Sequence, residues 1–162
     1  MTSPIQIGAH IPAMKLMTAT ADGPKEISTD ELFGGKKVVV FAVPGAFTPT
    51  CSAKHLPGFV QHFGDFAAKG VDTVVCMAVN DPFVMRAWAK DQNVDDKLVM
   101  LADGSAIFTK ALGLELDLAA RGLGIRSQRF AMVVDNGVVS HLMVEAPGGF
   151  DVSRAEAVLA AL

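Results

Sequence analysis

The sequence predicts an α/β fold in which a central mixed sheet is flanked by helices. Three observations predict it. Two continuous apolar, β-branched-rich runs, Val38 to Val43 and Thr73 to Val79, suit strands buried on both faces of a parallel sheet. Between them, Ser52 to Lys69 carries Leu56, Phe59, Val60, Phe63, Phe66 and Ala67, the spacing of one helix face. Later, the apolar runs Arg129 to Asp135 and Val138 to Glu145 meet at Asn136-Gly137, the strongest short hairpin signal.

The elements follow in order. Ser28 or Thr29, then Asp-Glu-Leu-Phe and Gly34-Gly35, reads as a capped short helix. Strand 38–43, helix 52–69 and strand 73–79 make a βαβ unit, with Pro57 kinking the helix near its start. Asn80-Asp81-Pro82 opens a second helix that runs to about Asn93: Asp81 offers a capping oxygen, and Pro82 suits a position where no N–H is needed. Lys97 to Ala102 is a third strand, and Ser105 to Leu112 a short helix closed by Gly113. Asp117 to Gly124 reads as a loop with exposed apolar residues, placed to cover a site or form a dimer edge. After the hairpin, a helical pattern runs from about Ser153 to Leu162. A parallel βαβ core followed by an antiparallel hairpin and a closing helix is a thioredoxin-like order. With no repeat or low-complexity linker, residues 1–162 read as one domain.

Composition narrows the function. The chain of 162 residues is 51% apolar and 19% charged, values of an ordered protein with a sizeable core. A net charge of −3 and a pI near 5.7 argue against a nucleic-acid partner. No apolar run approaches the ~18 residues of a membrane span, and MTSPIQIGAH has no basic or apolar leader region. Two cysteines make no disulfide scaffold, so a reducing cytoplasm fits best, and an exposed cysteine there is a candidate reagent.

The chemistry concentrates in Pro44-Gly45-Ala46-Phe47-Thr48-Pro49-Thr50-Cys51-Ser52. This segment joins the C-terminal end of a buried strand to a helix N-terminus, the edge at which open α/β sheets bind ligands. Free amide hydrogens and the positive dipole end favour an anion there, hence a thiolate at Cys51. The dipole contributes only ~0.3–1 kcal/mol. Bringing a cysteine from ~8.5 into the reactive range takes several times that. A cation must supply the rest, and arginine suits best because it keeps its charge and presents a fixed fork. The Thr48 hydroxyl can both donate and accept a hydrogen bond beside the thiolate. Pro44 and Pro49 stiffen the loop, and Pro44 can shield the thiolate from water.

The string PGAFTPTCS resembles the active-site loop of peroxiredoxins, whose pattern P-x-x-x-T-x-x-C is met by Pro44, Thr48 and Cys51. His55-Leu56-Pro57-Gly58-Phe59, Val79-Asn80-Asp81-Pro82-Phe83, Gly113-Leu114 and Arg129-Phe130-Ala131-Met132-Val133-Val134 extend the resemblance, over essentially the whole chain, to the type-II, peroxiredoxin-V-like subfamily. The resemblance implies a thioredoxin-like fold and reduction of hydrogen peroxide and alkyl hydroperoxides through a cysteine sulfenic acid, with no metal, haem or flavin. With no cysteine near the C-terminus and Cys76 deep in its strand, an external thiol, glutathione with glutaredoxin or else thioredoxin, is the expected reductant; the resemblance and the apolar loops around Phe47 and Leu118 predict a homodimer. The resemblance places the family's arginine at Arg129, with Arg126 as second choice.

Cys76 has two readings: a buried core residue, or the resolving partner that some plant type-II members use. It sits about four residues before its strand end, ~13 Å below the edge, whereas a disulfide needs Cα atoms within ~7 Å. The later cysteine of mammalian relatives has Ser153 in its place. His55, four residues after Cys51, reads as a structural hydrogen-bonding residue. His10, His62 and His141 have no metal-ligand spacing with the cysteines. Two other functions use the same Cys51: a redox sensor or holdase, and a single-cysteine thiol-disulfide oxidoreductase, against which the absence of C-x-x-C counts.

Overall fold

In the computed structural model, which describes residues 3–162, the main sheet runs in the order β2 (Gly23–Ser28), β1 (Lys15–Thr20), β5 (Val99–Ala102), β4 (Thr73–Ala78), β3 (Lys37–Val43), β8 (Phe130–Asp135) and β9 (Val138–Val144). Its centre is β3, parallel to β4, which is parallel in turn to β5. On the other side of β3 lie, antiparallel, β8 and β9. The mixed, helix-flanked α/β architecture expected from the sequence is the one observed.

Two-sided burial explains the apolar runs. Along β3, Val39, Phe41 and Val43 face one core while Val38, Val40 and Ala42 face the other, and all are fully buried. On the first face, β3 packs with α2 (Leu56–Gln61), α3 (Phe63–Ala68), α4 (Pro82–Asp91) and α6 (Ala155–Ala161), through Phe59, Phe66, Trp88 and Val158. On the second lie α1 (Thr29–Phe33) and α5 (Ile107–Ala111), through Phe33 and Phe108. Cys51 and Cys76 both belong to the first face.

Local signals account for the helix starts. Ser28, rather than Thr29, caps α1: its hydroxyl accepts from Glu31 N–H while the Glu31 carboxylate accepts from Ser28 N–H. Asp81 caps α4 by accepting from Val84 N–H, with Pro82 in the first turn. Asn136 and Gly137 take φ of 47° and 80°, the paired positive angles of the predicted tight hairpin.

Four expectations need correction. Helix 52–69 is three segments: a π-helical turn at Cys51–His55, then α2, then α3 after a break at His62. Leu56 N–H donates to the Cys51 carbonyl, five residues back. The next residue, Pro57, has no N–H to give, and the ladder opens by one residue just before it, so the irregularity expected near the helix start takes the form of a π turn beside Cys51. Second, α5 starts at Ile107, not Ser105, because Ala106 adopts a left-handed φ of 60°. Third, β5 begins at Val99 rather than Lys97. Fourth, the loop expected at 117–124 is shorter and closes a hairpin: β6 (Glu115–Leu118) and β7 (Gly124–Ser127) pair on either side of it, and residues 119–123 make the connection, beginning with a 3-10 turn at Ala119–Arg121. The hairpin β1 (Lys15–Thr20) and β2 (Gly23–Ser28), which extends the sheet beyond β5, had no counterpart in the sequence reading.

Candidate active site

The loop from Val43 to Cys51 leaves the C-terminal end of β3, and its backbone is tightly constrained. A Cβ at Gly45 would stand 2.5 Å from Arg126 Nη1, so a side chain there would displace that guanidinium. Phe47 takes a left-handed φ of 64°, costly for a bulky residue and held by the turn around it. Ala46 N–H donates to the Asn80 side-chain carbonyl at 2.9 Å, which ties the loop to the end of β4. The Thr48 hydroxyl donates to Gly45 O at 2.7 Å, and Ser52 N–H donates to Thr48 O at 2.9 Å. Cys51 therefore lies inside the first helical turn.

Arg129, just before β8, reaches this turn from across the sheet. Its Nη2 donates to Cys51 Sγ at 3.1 Å, and its Nη1 donates to His55 Nδ1 at 2.8 Å. Arg126, on β7, is spent on backbone carbonyls: its Nη1 donates to Pro44 O at 3.2 Å and its Nε to Leu123 O at 2.8 Å. The fold thus gathers Cys51, Thr48, Pro44 and Arg129 around one loop, with Arg126 fastening its first carbonyl. Trp88 Nε1–H donates to the Ser52 hydroxyl at 2.9 Å, so α4 also holds the turn.

The expectation of an exposed cysteine is corrected: Cys51 is 0% exposed. It lies beneath its own loop, in the core cluster that contains Phe41, Phe59 and Trp88. Cys76 is also a free, fully buried thiol, in register with Phe41 of β3; it stands two residues before the end of β4 rather than the four expected, because the strand stops at Ala78. Burial, and then a Cys51 thiolate, push the Cys76 thiol well above its ordinary value, so it stays protonated.

His55 is buried among the rings of Phe41, Phe59 and Phe150, with centroids 5.0, 5.6 and 5.2 Å away. Its Nε2–H donates to Ser153 O at 3.0 Å. Burial above all, and the Arg129 charge, lower the imidazole to about 3, against the opposing pull of Ser153 O and Glu145. Residue spacing pointed to His55, four positions after Cys51. Nothing local pointed to Ser153, Glu145 or Phe150, which arrive from the far end of the chain.

A pH dependence of stability follows. The unfolded imidazole takes up a proton near 6.5, and the folded one only near 3. Between those values the unfolded state binds more protons, so the contribution is complete above about pH 6.5 and is lost as pH falls toward 3. The Glu145 carboxyl is raised by burial but lowered more by hydrogen bonds from Ser153, Asp151 and Val152, so it adds loss in the same direction at the acid end. Urea unfolding followed by Trp88 fluorescence should show a midpoint falling steadily from pH 7 to pH 4. A midpoint independent of pH over that range would contradict the buried neutral imidazole.

Comparison with known proteins is consistent along the whole chain. Residues 6–159 match the Redoxin family model. The chain is similar to Peroxiredoxin-2C of Oryza sativa subsp. japonica, 48% identical over 161 residues that span 99% of both sequences. Among solved structures it resembles reduced Prx3 of Vibrio vulnificus in complex with H2O2, at 55% identity, TM-score 0.92 and coverage of 97% and 98%. It also resembles peroxiredoxin 5 of Alvinella pompejana, at 34% identity, TM-score 0.86 and coverage of 98% and 97%. No helix among the described residues is long and apolar enough to cross a membrane.

Proposed function

We propose, since this chain belongs to the redoxin family and is a type-II peroxiredoxin, that Cys51 is the nucleophile of its thiol-dependent peroxidase activity. The supporting observation is the 3.1 Å hydrogen bond from Arg129 Nη2 to Cys51 Sγ, inside a loop carrying Pro44 and Thr48. The Cys51 thiolate attacks the distal peroxide oxygen. An S–O bond forms, the O–O bond breaks, and the departing hydroxide or alkoxide takes a proton to leave as water or alcohol. Arg129 holds the peroxide and meets the charge that develops on the leaving oxygen. The Thr48 proton is already given to Gly45 O, so its lone pairs accept from the peroxide O–H.

The sulfenic acid is then reduced by an external thiol, which we take to be glutathione with glutaredoxin in the cytoplasm. Attack by the thiol gives a mixed disulfide at Cys51 and water, and a second thiol releases the free cysteine with formation of a disulfide. Cys76 is a poor resolving residue, because burial keeps it protonated. Because Cys51 is buried too, the external thiol reaches it only when segment 44–55 opens, and the π turn beside Cys51 is the irregular point in that helix. The test is mass spectrometry after one equivalent of peroxide, with and without glutathione. A gain of one glutathione at Cys51 is expected. Rapid, complete formation of a Cys51–Cys76 disulfide, with turnover lost in Cys76→Ser, would replace this reading with an internal two-cysteine cycle.

The homodimer is proposed on the apolar loops at the site's rim. Phe47 and Phe83 are 52% and 73% exposed, and Leu118 on β6 is half-buried. Sedimentation at micromolar protein should give a dimer, and a monomer at every concentration would exclude it.

A further inference from the structure

A continuous chain of side-chain hydrogen bonds runs to the Arg129 guanidinium from Glu145, whose own N–H donates to the Arg129 carbonyl at 3.0 Å. Glu145, one residue past β9, collects three donors on a single carboxylate oxygen. Its Oε2 accepts from Asp151 N–H at 2.7 Å, Ser153 N–H at 2.8 Å and the Ser153 hydroxyl at 2.7 Å. These bonds fold the segment after β9 back toward the site. Ser153, fully buried, turns its carbonyl to His55 Nε2–H. Phe150, from the same segment, lies 5.8 Å from the Arg129 guanidinium.

We propose that Glu145, acting through Ser153 and His55, is a positioning residue that holds the Arg129 fork on the Cys51 sulfur. The inference rests on the roles assigned above to Cys51 and Arg129. Each link constrains the next. The Ser153 carbonyl can only accept, so His55 Nε2 must carry the proton. A neutral imidazole with its proton on Nε2 has a bare lone pair at Nδ1, the atom that Arg129 Nη1–H meets at 2.8 Å. The opposite tautomer would set N–H against N–H and push the guanidinium away. The guanidinium is rigid and planar, so fixing Nη1 fixes the direction of Nη2, which donates to Sγ. Glu145 in turn places the Ser153 carbonyl, by gripping the amide and hydroxyl of that residue. A sub-ångström slip of the fork matters because the attack geometry tolerates little displacement.

The test separates the two ends of the imidazole in the full-length chain. His55→Asn puts an amide oxygen near the Nδ1 position and keeps the acceptor for Arg129. His55→Gln puts an amide N–H near Nε2 and keeps the donor to Ser153, but loses that acceptor. Glu145→Gln weakens the first link. Two bimolecular rates are measured for each: with hydrogen peroxide, which needs the fork, and with iodoacetamide, which needs the Cys51 thiolate and the opening of segment 44–55 but not the fork. His55→Gln should slow the peroxide reaction about 10- to 100-fold, His55→Asn should recover most of that loss, and Glu145→Gln should slow it about 3- to 10-fold. Iodoacetamide rates should change much less. Equal loss in His55→Asn and His55→Gln would reduce His55 to packing and overturn the proposal, as would a peroxide rate within about twofold of wild type in His55→Gln. Should the His55 variants fail to fold, an unchanged ratio of the two rates in Glu145→Gln overturns it alone. A wild-type protein inert to peroxide would instead sink the peroxidase roles of Cys51 and Arg129, and this inference with them.

Discussion

Cys51→Ser is expected to reduce peroxide turnover to the uncatalysed background, a loss of at least ~10³-fold, with the fold left standing. A serine hydroxyl at neutral pH is a weak nucleophile without a base, and no base faces this position. The imidazole four residues away spends its lone pair on Arg129 Nη1 and its N–H on Ser153 O. Burial and the Arg129 charge keep it at about 3, so it neither takes a serine proton nor carries one to the leaving oxygen. Cys76 cannot substitute: it is fully buried, pushed up by desolvation, and has no arginine contact among those found. Structurally the exchange is mild. The oxygen still accepts from Arg129 Nη2, so no buried donor is orphaned, and the stability change should stay near ~1 kcal/mol. Stopped-flow peroxide consumption beside urea unfolding separates the two claims. Turnover persisting in Cys51→Ser and vanishing in Cys76→Ser would move the nucleophile to β4.

What was legible in the sequence was what short range determines. Val38 to Val43 announced β3 because both faces are buried, so every position had to be apolar. Asp81-Pro82 and Asn136-Gly137 carried backbone requirements on adjacent residues and were read correctly. The hairpin β1–β2 was missed because β2, GPKEIS, is polar and largely exposed, the composition of an edge strand rather than a core one. The connection of the hairpin β6–β7 is legible as a loop, but its two strands are not, because each has only four residues and no buried stripe. At the site, the loop motif delivered Pro44, Thr48 and Cys51 from eight consecutive positions. Arg129 came from family resemblance alone, since 78 residues separate it from Cys51. The bond from His55 to Ser153 spans 98 residues, and no local rule links a helix turn to the approach to α6 over that distance. Burial of Cys51 was missed for a related reason. The position reads as an open helix start, but the side chain turns inward and the core of the first face closes over it.

Arg129→Gln is expected to slow the reaction of Cys51 with peroxide by about 10²- to 10³-fold, the loss seen when one donor to a developing oxyanion is removed. The guanidinium does two things that glutamine cannot do together. It donates from Nη2 to Sγ while Nη1 is held by the imidazole, and it brings a permanent charge beside the sulfur and the departing oxygen. Glutamine offers donors from a single nitrogen, has no charge, and is shorter, so an amide that stays on His55 leaves Sγ unpartnered. The lost contact with the Phe150 ring adds little to the rate, though it should loosen the segment before α6. Arg126→Gln provides the control. That arginine fastens Pro44 O and Leu123 O, so its loss should disturb the loop and slow peroxide only modestly. Bimolecular rates can be read by stopped flow from Trp88, whose indole bonds the Ser52 hydroxyl next to Cys51. If Arg129→Gln kept its rate within about threefold while Arg126→Gln took the large loss, the cation serving the peroxide would be Arg126, and the 3.1 Å contact with sulfur would be packing rather than catalysis.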